Sequence, residues 1–291
     1  MTDLHTRPLR PPPAPPPALR RPGLARRFEG VVDFDLPATD VRVGVVVPFD
    51  FGLDWEYWRY LPGEVNLYFT RTPMVAKAVG VPLARAVSHP PTVARATKAL
   101  LALDPAAVLY ACSSGSFVGG VAGEQALVAT MVAAGARRAI TSSGATVEAL
   151  RAAGVERVAV ASPYTRPLTQ ALADFLEEAG FGVPAVRYLG LSAGIAAVSR
   201  RTIADLVREA AHPRADAVFV SCTSLRTFGL VADLEADVGA PVFTANQVSL
   251  WSAIRATRPG ALVPGPDGWV LGGGQPMARS TALLLAAPGT A

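Results

Sequence analysis

The sequence predicts an α/β protein of two pseudosymmetric lobes, each built on a parallel sheet, with an active site between them. Three observations carry that expectation. Short β-branched runs alternate with Ala-rich stretches of helical length from about residue 40 onward, which is the pattern of βαβ units. The only two cysteines lie in two copies of one motif, Ala107-Val-Leu-Tyr-Ala-Cys112-Ser-Ser114 and Ala217-Val-Phe-Val-Ser-Cys222-Thr-Ser224. Two apolar runs, Val41–Val47 and Val158–Ser162, also end alike, in Pro48-Phe49-Asp50 and Pro163-Tyr164-Thr165. Those prolines precede their cysteines by 64 and 59 residues, so order and spacing repeat together.

Taken from the N-terminus, residues 1–28 hold eight prolines and six arginines and are expected to be a disordered Pro/Arg-rich tail. Strands are then expected at Val41–Val47, Val65–Thr70, Ala107–Ala111, Ala139–Ser142, Arg157–Ala161, Ala185–Leu189, Ala217–Ser221 and Pro241–Thr244. Helices are expected at Pro91–Leu103, Gly119–Gly135, Ala145–Gly154, Arg166–Gly180, Arg200–His212, Leu225–Gly239 and Gln247–Thr257. Gly135, Gly154, Gly180 and Gly239 stand where helix C-caps belong. The expected division is a first lobe of residues 40–143 plus 246–285 and a second of 144–245, both Rossmann-like (flavodoxin-like).

Composition narrows the function. The tail carries +5 of the net +4, which leaves a body near −1 and no electrostatic footprint for nucleic acid. No apolar run reaches the length of a membrane span, and no secretory h-region opens the chain. Two cysteines do not make a disulfide scaffold, so a cytoplasmic protein with reduced thiols is expected. Of the three histidines, His5 is in the tail, while His89 and His212 precede prolines in connecting segments. That leaves no material for a Ser-His-acid triad or a histidine-rich metal site. Gly272-Gly-Gly274 lacks the spacing of a dinucleotide loop, and no phosphate-binding P-loop occurs. Neither metal nor nucleotide is expected.

The chemistry that remains belongs to sulfur. A strand-to-turn junction presents a side chain at the carboxyl end of a sheet, where open α/β folds bind ligands. A helix starting there lowers a thiol pKa from about 8.5 into the range of roughly 3.5–7.5, and both cysteines are expected to have that environment. Ser113, Ser114, Gly115 and Ser116 in one copy, and Thr223 and Ser224 in the other, offer hydroxyls and amides that can hold a carboxylate without a cation. A lone cysteine reads more simply as a small buried hydrophobe. A matched pair at equivalent strand ends reads instead as two acid/base groups facing one substrate. Trp55, Tyr57, Trp58 and Tyr60 either line a pocket or pack a helix; Arg71 and Arg226 either reach a carboxylate or serve structure.

The segments Ala111-Cys-Ser-Ser-Gly-Ser-Phe-Val118, Ser221-Cys-Thr-Ser-Leu-Arg-Thr227 and Ala245-Asn-Gln247 resemble the aspartate/glutamate racemase superfamily. Within it the sequence is most similar to the branch of maleate cis-trans isomerases, arylmalonate decarboxylases and ectoine-utilisation proteins. The resemblance implies a cofactor-independent isomerase or racemase of a small carboxylic acid, with Cys112 as nucleophile and Cys222 as general acid/base. It implies that Tyr164 contacts the substrate. Arylmalonate decarboxylases keep only the second cysteine, with glycine at the first, so Cys112 argues against a simple decarboxylase. Decarboxylation with Cys222 as proton donor and non-catalytic metabolite binding are the alternatives. Two departures bear on the substrate: Pro48-Phe49-Asp50-Phe51 replaces the Pro-Ser-Ser-Asn usual in maleate isomerases, and Ser192 stands where the branch often has asparagine. Asp50 and Ser192 thereby join the expected substrate-binding residues, and a homo-oligomer (dimer or tetramer) is expected.

Overall fold

The computed structural model describes residues 41–61, 65–257 and 278–287. The expected tail, residues 1–28, and Gly272–Gly274 lie outside them. Among the described residues, eight strands form two parallel four-stranded sheets. The first comprises β1 (Val41–Val47), β2 (Val65–Arg71), β3 (Ala107–Tyr110) and β4 (Ala139–Thr141), in the order β2-β1-β3-β4. The second comprises β5 (Val158–Tyr164), β6 (Val186–Leu191), β7 (Ala217–Val220) and β8 (Val242–Thr244), in the order β6-β5-β7-β8. The two orders are the same order, displaced by four strands. Both cysteine blocks therefore occupy the third strand of their half, one position inward from the edge.

The central strands β1, β3, β5 and β7 form because their sequences suit burial on both faces, whereas β6, at a sheet edge, is partly exposed. Every residue of β3 and β7 is buried, as is β1 from Val43 to Val47. Such sheets read as continuous apolar runs rather than alternating ones. Registers correspond as well: Val43 lies opposite Ala107 and Val45 opposite Leu109, as Val158 lies opposite Ala217 and Val160 opposite Phe219. Pro163 falls inside a central strand, and the β5–β6 pairing shifts between Ser162 and Tyr164. A bulge is how a strand accommodates a residue without an N–H, and here it turns Tyr164 at the strand's end.

Helices fill the crossovers. In the first half they are α1 (Asp54–Arg59), α2 (Val81–Val87), α3 (Pro90–Leu100), α4 (Ser113–Phe117) and α5 (Gly120–Ala133). Then come α6 (Ser142–Ala152), α7 (Arg166–Glu178), α8 (Arg200–Ala210), α9 (Val231–Val238), α10 (Ala245–Thr257) and α11 (Arg279–Ala286). Their starts follow local chemistry: Thr141 caps α6 through the Gly144 N–H (2.9 Å), and Ser199 caps α8 through the Thr202 N–H (3.0 Å). Gly154 and Gly239 end α6 and α9 at φ of +69° and +72°, a conformation that favours glycine; Gly135 and Gly180 also have positive φ. No helix among the described residues is long and apolar enough to cross a membrane.

One expected helix is shorter than its sequence suggests. The stretch from Leu225 turns irregularly, and helix begins only at Val231. The backbone N–H groups of Thr227 and Phe228 are taken by the Glu56 carboxylate, at 3.2 Å each, and Gly229 has φ +71°. A helical turn cannot form where its amides are bonded elsewhere. Cys222 is thus not at a helix N-terminus. α10 is the opposite case: it follows β8 directly, is buried from Ala245 to Arg255, and packs on α6 and on β1, β3 and β4 of the first sheet.

Candidate active site

Cys112 is the N-cap of α4, just beyond β3. Its extended backbone (φ −142°, ψ 103°) lets Sγ accept the Gly115 N–H at 3.4 Å, with the Ser114 hydroxyl 3.8 Å away. Gly115 is required for this approach: a Cβ there would meet the Tyr110 hydroxyl at 2.3 Å and the Cys112 sulfur at 3.2 Å. Tyr110, fully buried, gives its hydroxyl to the Val87 carbonyl at 3.1 Å and lies against the thiol. Below the cap, Ser116 bonds to Ser143 at 2.7 Å and to the carbonyls of Cys112 and Ser113, which ties the turn to α6.

Cys222 reaches the same region by different means. Its backbone has φ +103°, a conformation that costs a non-glycine residue on the order of 1–3 kcal/mol. The turn brings the Ser224 N–H to Sγ at 3.4 Å, while Leu225 N–H closes onto the Cys222 carbonyl at 3.2 Å. Tyr164, buried at the end of β5, supplies a hydroxyl beside this sulfur. Thr223 donates across to the Ala111 carbonyl at 3.3 Å, so the two cysteine blocks touch.

The expectation of acidified thiols is corrected by burial. Both cysteines are almost completely removed from solvent, at 5% and 7% exposure. Burial pushes the Cys112 thiol up, against the opposing donors Gly115, Ser114 and Tyr110, and Asp50 adds to the rise. Burial pushes the Cys222 thiol up to about 11, against Tyr164 and Ser224. Loss of hydration outweighs one or two N–H groups because the thiolate, not the thiol, is the form that needs water. Both thiols are free, and burial favours the protonated form of each.

Both sulfurs line one cleft of about 430 Å³, open mouth included. Its walls include Asp50, Ser113, Ser114, Tyr164, Thr223 and Ser224 from the expected set. Ser192 is not among them; its side chain is exposed, and its carbonyl accepts the Val79 N–H at 2.8 Å. Val79 itself lines the cleft, with Leu83, Val87, Ile195 and Pro48, an apolar wall that residue type alone did not mark. Among the described residues Asp50 is the one charged residue lining the cleft; partial burial pushes its carboxyl above the ordinary value. Arg71 pairs instead with Asp54 at 2.7 Å, and Arg226 donates to the Val198 carbonyl. The Ser113 hydroxyl is buried without a partner, an open donor at the cleft wall. Of the aromatic cluster, Tyr57 and Tyr60 pack inward and Trp55 and Trp58 face out, so α1 is a packed helix. Among the described residues no cluster of three or more His, Cys, Asp or Glu could hold a metal.

Two parallel sheets of one strand order, with a cleft lined by residues of both halves, define the fold of a class of cofactor-independent isomerases and decarboxylases. The family model described as "Arylmalonate decarboxylase" matches residues 88–268. The chain belongs to this family, in the maleate isomerase/arylmalonate decarboxylase branch of the Asp/Glu racemase superfamily. It is 28% identical to the arylmalonate decarboxylase of Bordetella bronchiseptica over 232 residues, 77% of this chain and 93% of that one. It is 32% identical to the maleate isomerase of Nocardia farcinica over 170 residues, 55% of this chain and 67% of that one. Among solved structures, a liganded arylmalonate decarboxylase with one glycine changed to cysteine and one cysteine to serine superimposes with TM-score 0.71. That likeness is at 28% identity and covers 78% of this chain and 97% of the other. A Nocardia farcinica maleate cis-trans isomerase mutant holding a covalently bound succinylcysteine intermediate gives TM-score 0.65 at 26% identity, covering 79% and 97%.

Proposed function

We propose that the protein is a two-thiol isomerase or racemase of a small carboxylic acid, maleate cis-trans isomerase-like in mechanism. The observation that carries the reading is that Cys112 and Cys222, from equivalent strands of two sheets, line one cleft whose other polar groups are mainly hydroxyls. Ser113, Ser114, Thr223, Ser224 and Tyr164 surround a substrate carboxylate with donors. Holding the anion with neutral dipoles suits a buried site that must not lower the basicity of the sulfurs.

In the isomerase reading, Cys112 loses its proton to solvent through the cleft mouth and attacks one alkene carbon. The C–S bond forms as the Cys222 S–H proton moves to the neighbouring carbon. The former double bond then rotates as a single bond. The Cys222 thiolate takes the proton back, the C–S bond breaks, and the trans alkene leaves with the Cys112 thiolate restored. Cys112 suits the nucleophile because it accepts N–H from a helix start, which stabilises a thiolate. Cys222 suits the acid because its pKa of about 11 keeps it protonated. The covalent succinylcysteine in the Nocardia farcinica relative supports the adduct. Asp50 at the rim favours a substrate that presents an ammonium or other donor in place of a second carboxylate.

A second reading follows from the family model and the nearly full-length match to an arylmalonate decarboxylase. A malonate-type acid would lose carbon dioxide, and Cys222 would protonate the resulting enediolate. The test is a proton NMR panel of maleate, single amino-acid enantiomers in deuterium oxide, and aryl malonates. Isomerisation or α-deuteration that requires both cysteines supports the proposal; carbon dioxide release that survives Cys112→Ser overturns it in favour of decarboxylation. A cytoplasmic setting, which keeps both thiols reduced, and a homo-oligomeric assembly belong to the same proposal.

A further inference from the structure

Glu56 is the buried charge that the cleft chemistry leaves unused. It sits on α1, the helix that follows the Asp50 turn, and is fully buried. A buried carboxylate is costly unless its oxygens are satisfied. Here one oxygen takes everything: Oε1 accepts from the Thr227 N–H (3.2 Å), the Thr227 hydroxyl (3.1 Å), the Phe228 N–H (3.2 Å) and Asn246 Nδ2 (2.9 Å). Oε2 is buried with no partner. Three of the four donors come from one short segment, five and six residues beyond Cys222, and the fourth from the start of α10. Asn246 Nδ2 also lies 3.5 Å from the Leu225 carbonyl, so the same node grips that segment at a third residue. Tyr60 packs edge-on against Phe228 at 4.9 Å, which adds an apolar seal from α1.

This segment is the one that fails to become helix, and it begins at the strained Cys222. A non-glycine residue keeps φ +103° only where its surroundings over-determine it. On one side the Thr223 hydroxyl is bound to Ala111; on the other, Glu56 holds Thr227 and Phe228. We infer that Glu56 is a positioning residue, which clamps the 222–228 turn from the opposite half and so fixes where the Cys222 sulfur stands in the cleft. The role assigned to Cys222 rests on the reading above, but the clamp itself can be measured without any substrate.

The experiment uses the full-length protein and alkylation by iodoacetamide, with each thiol followed separately in a Cys112→Ser or Cys222→Ser background. Glu56→Leu removes the oxygen that accepts all four bonds and leaves an apolar side chain in its place. The expected result is a folded variant in which Cys222 alkylates at least tenfold faster while Cys112 changes by less than twofold. Thr227→Val, which removes one donor of four, is expected to raise the Cys222 rate about threefold and serves if Glu56→Leu does not fold. A Cys222 rate within twofold of the parent in a folded variant overturns the inference. An equal rise at both thiols overturns it as well, since that marks general loosening. Turnover plays no part in the readout, so a failure of the proposed chemistry would leave this result standing.

Discussion

The Thr223 hydroxyl bonds the Ala111 carbonyl at 3.3 Å across 112 residues of chain. One of these residues immediately follows Cys222 and the other immediately precedes Cys112. The separation of the two sulfurs is therefore set through the backbone of both strand ends, not by side-chain reach alone. A chemistry that needs two groups on one small molecule gains from that arrangement, because misplacement by an ångström is expensive.

Replacing the sulfurs one at a time separates the two roles. Cys222→Ser is expected to lower turnover by about 10²- to 10⁴-fold, the usual worth of a positioned general acid/base. Cys112→Ser is expected to abolish covalent isomerisation altogether. NMR turnover checks both, with circular dichroism to establish folding.

Stability should fall with alkaline pH through the thiols. Cys222 in the folded state titrates at about 11, above the roughly 8.5 of an unfolded cysteine. The folded protein therefore holds more protons between those values, and the stabilisation present below pH 8.5 is lost as pH rises toward 11. The slope is about 1.4 kcal/mol per pH unit for each such thiol. Urea unfolding at pH 8.5, 9.2 and 10 measures it, and Cys222→Ser should flatten it. Thiolate absorbance in the native protein should likewise rise only above pH 9; a transition near neutrality would contradict the burial argument.

Gly115→Ala should disturb Cys112 without touching Cys222. The added methyl meets the Tyr110 hydroxyl at 2.3 Å, and Tyr110 is buried and bonded to Val87. Overpacking of this kind costs about 1–3 kcal/mol. Thermal unfolding should show the loss, and alkylation should report a changed rate at Cys112 alone.

Asp50→Asn should change substrate preference more than rate. Removing the rim charge is expected to lower KM for a dicarboxylate about tenfold, roughly 1.4 kcal/mol for a partly solvated pair. It should raise KM for an acid bearing an ammonium group. In the parent protein, dicarboxylate binding should improve as pH falls through the raised Asp50 pKa, because the protonated carboxyl no longer repels. The Asn variant should lack that pH dependence.

The central strands were legible because burial on both faces leaves nearly uninterrupted apolar runs, and the duplication was legible because cysteine is rare in this chain. What sequence did not reveal depends on partners far away. The stretch from Leu225 reads as helix, yet its amides go to Glu56, 171 residues earlier. The local turns of the thiols read as acidifying, but depth of burial, which raises both, comes from tertiary packing that no local motif records. Ser192 reads as a side-chain ligand, whereas the atom that bonds Val79 is its carbonyl, a backbone contribution that residue type cannot signal. Along α1 and its C-cap, inward Tyr57 and Tyr60 and outward Trp55 and Trp58 follow helical spacing, so that outcome was readable once a helix was assumed.

The course of α10 has a consequence for a severed chain. It leaves the second sheet at Thr244 and is enclosed by α6 and by strands of both sheets, β1, β3 and β4 of the first among them. Cut ahead of residue 245, the first sheet loses the helix that covers three of its strands, and an oily flank stands open. Fragments divided ahead of residue 245 should accordingly reassociate on mixing, and neither should fold in isolation.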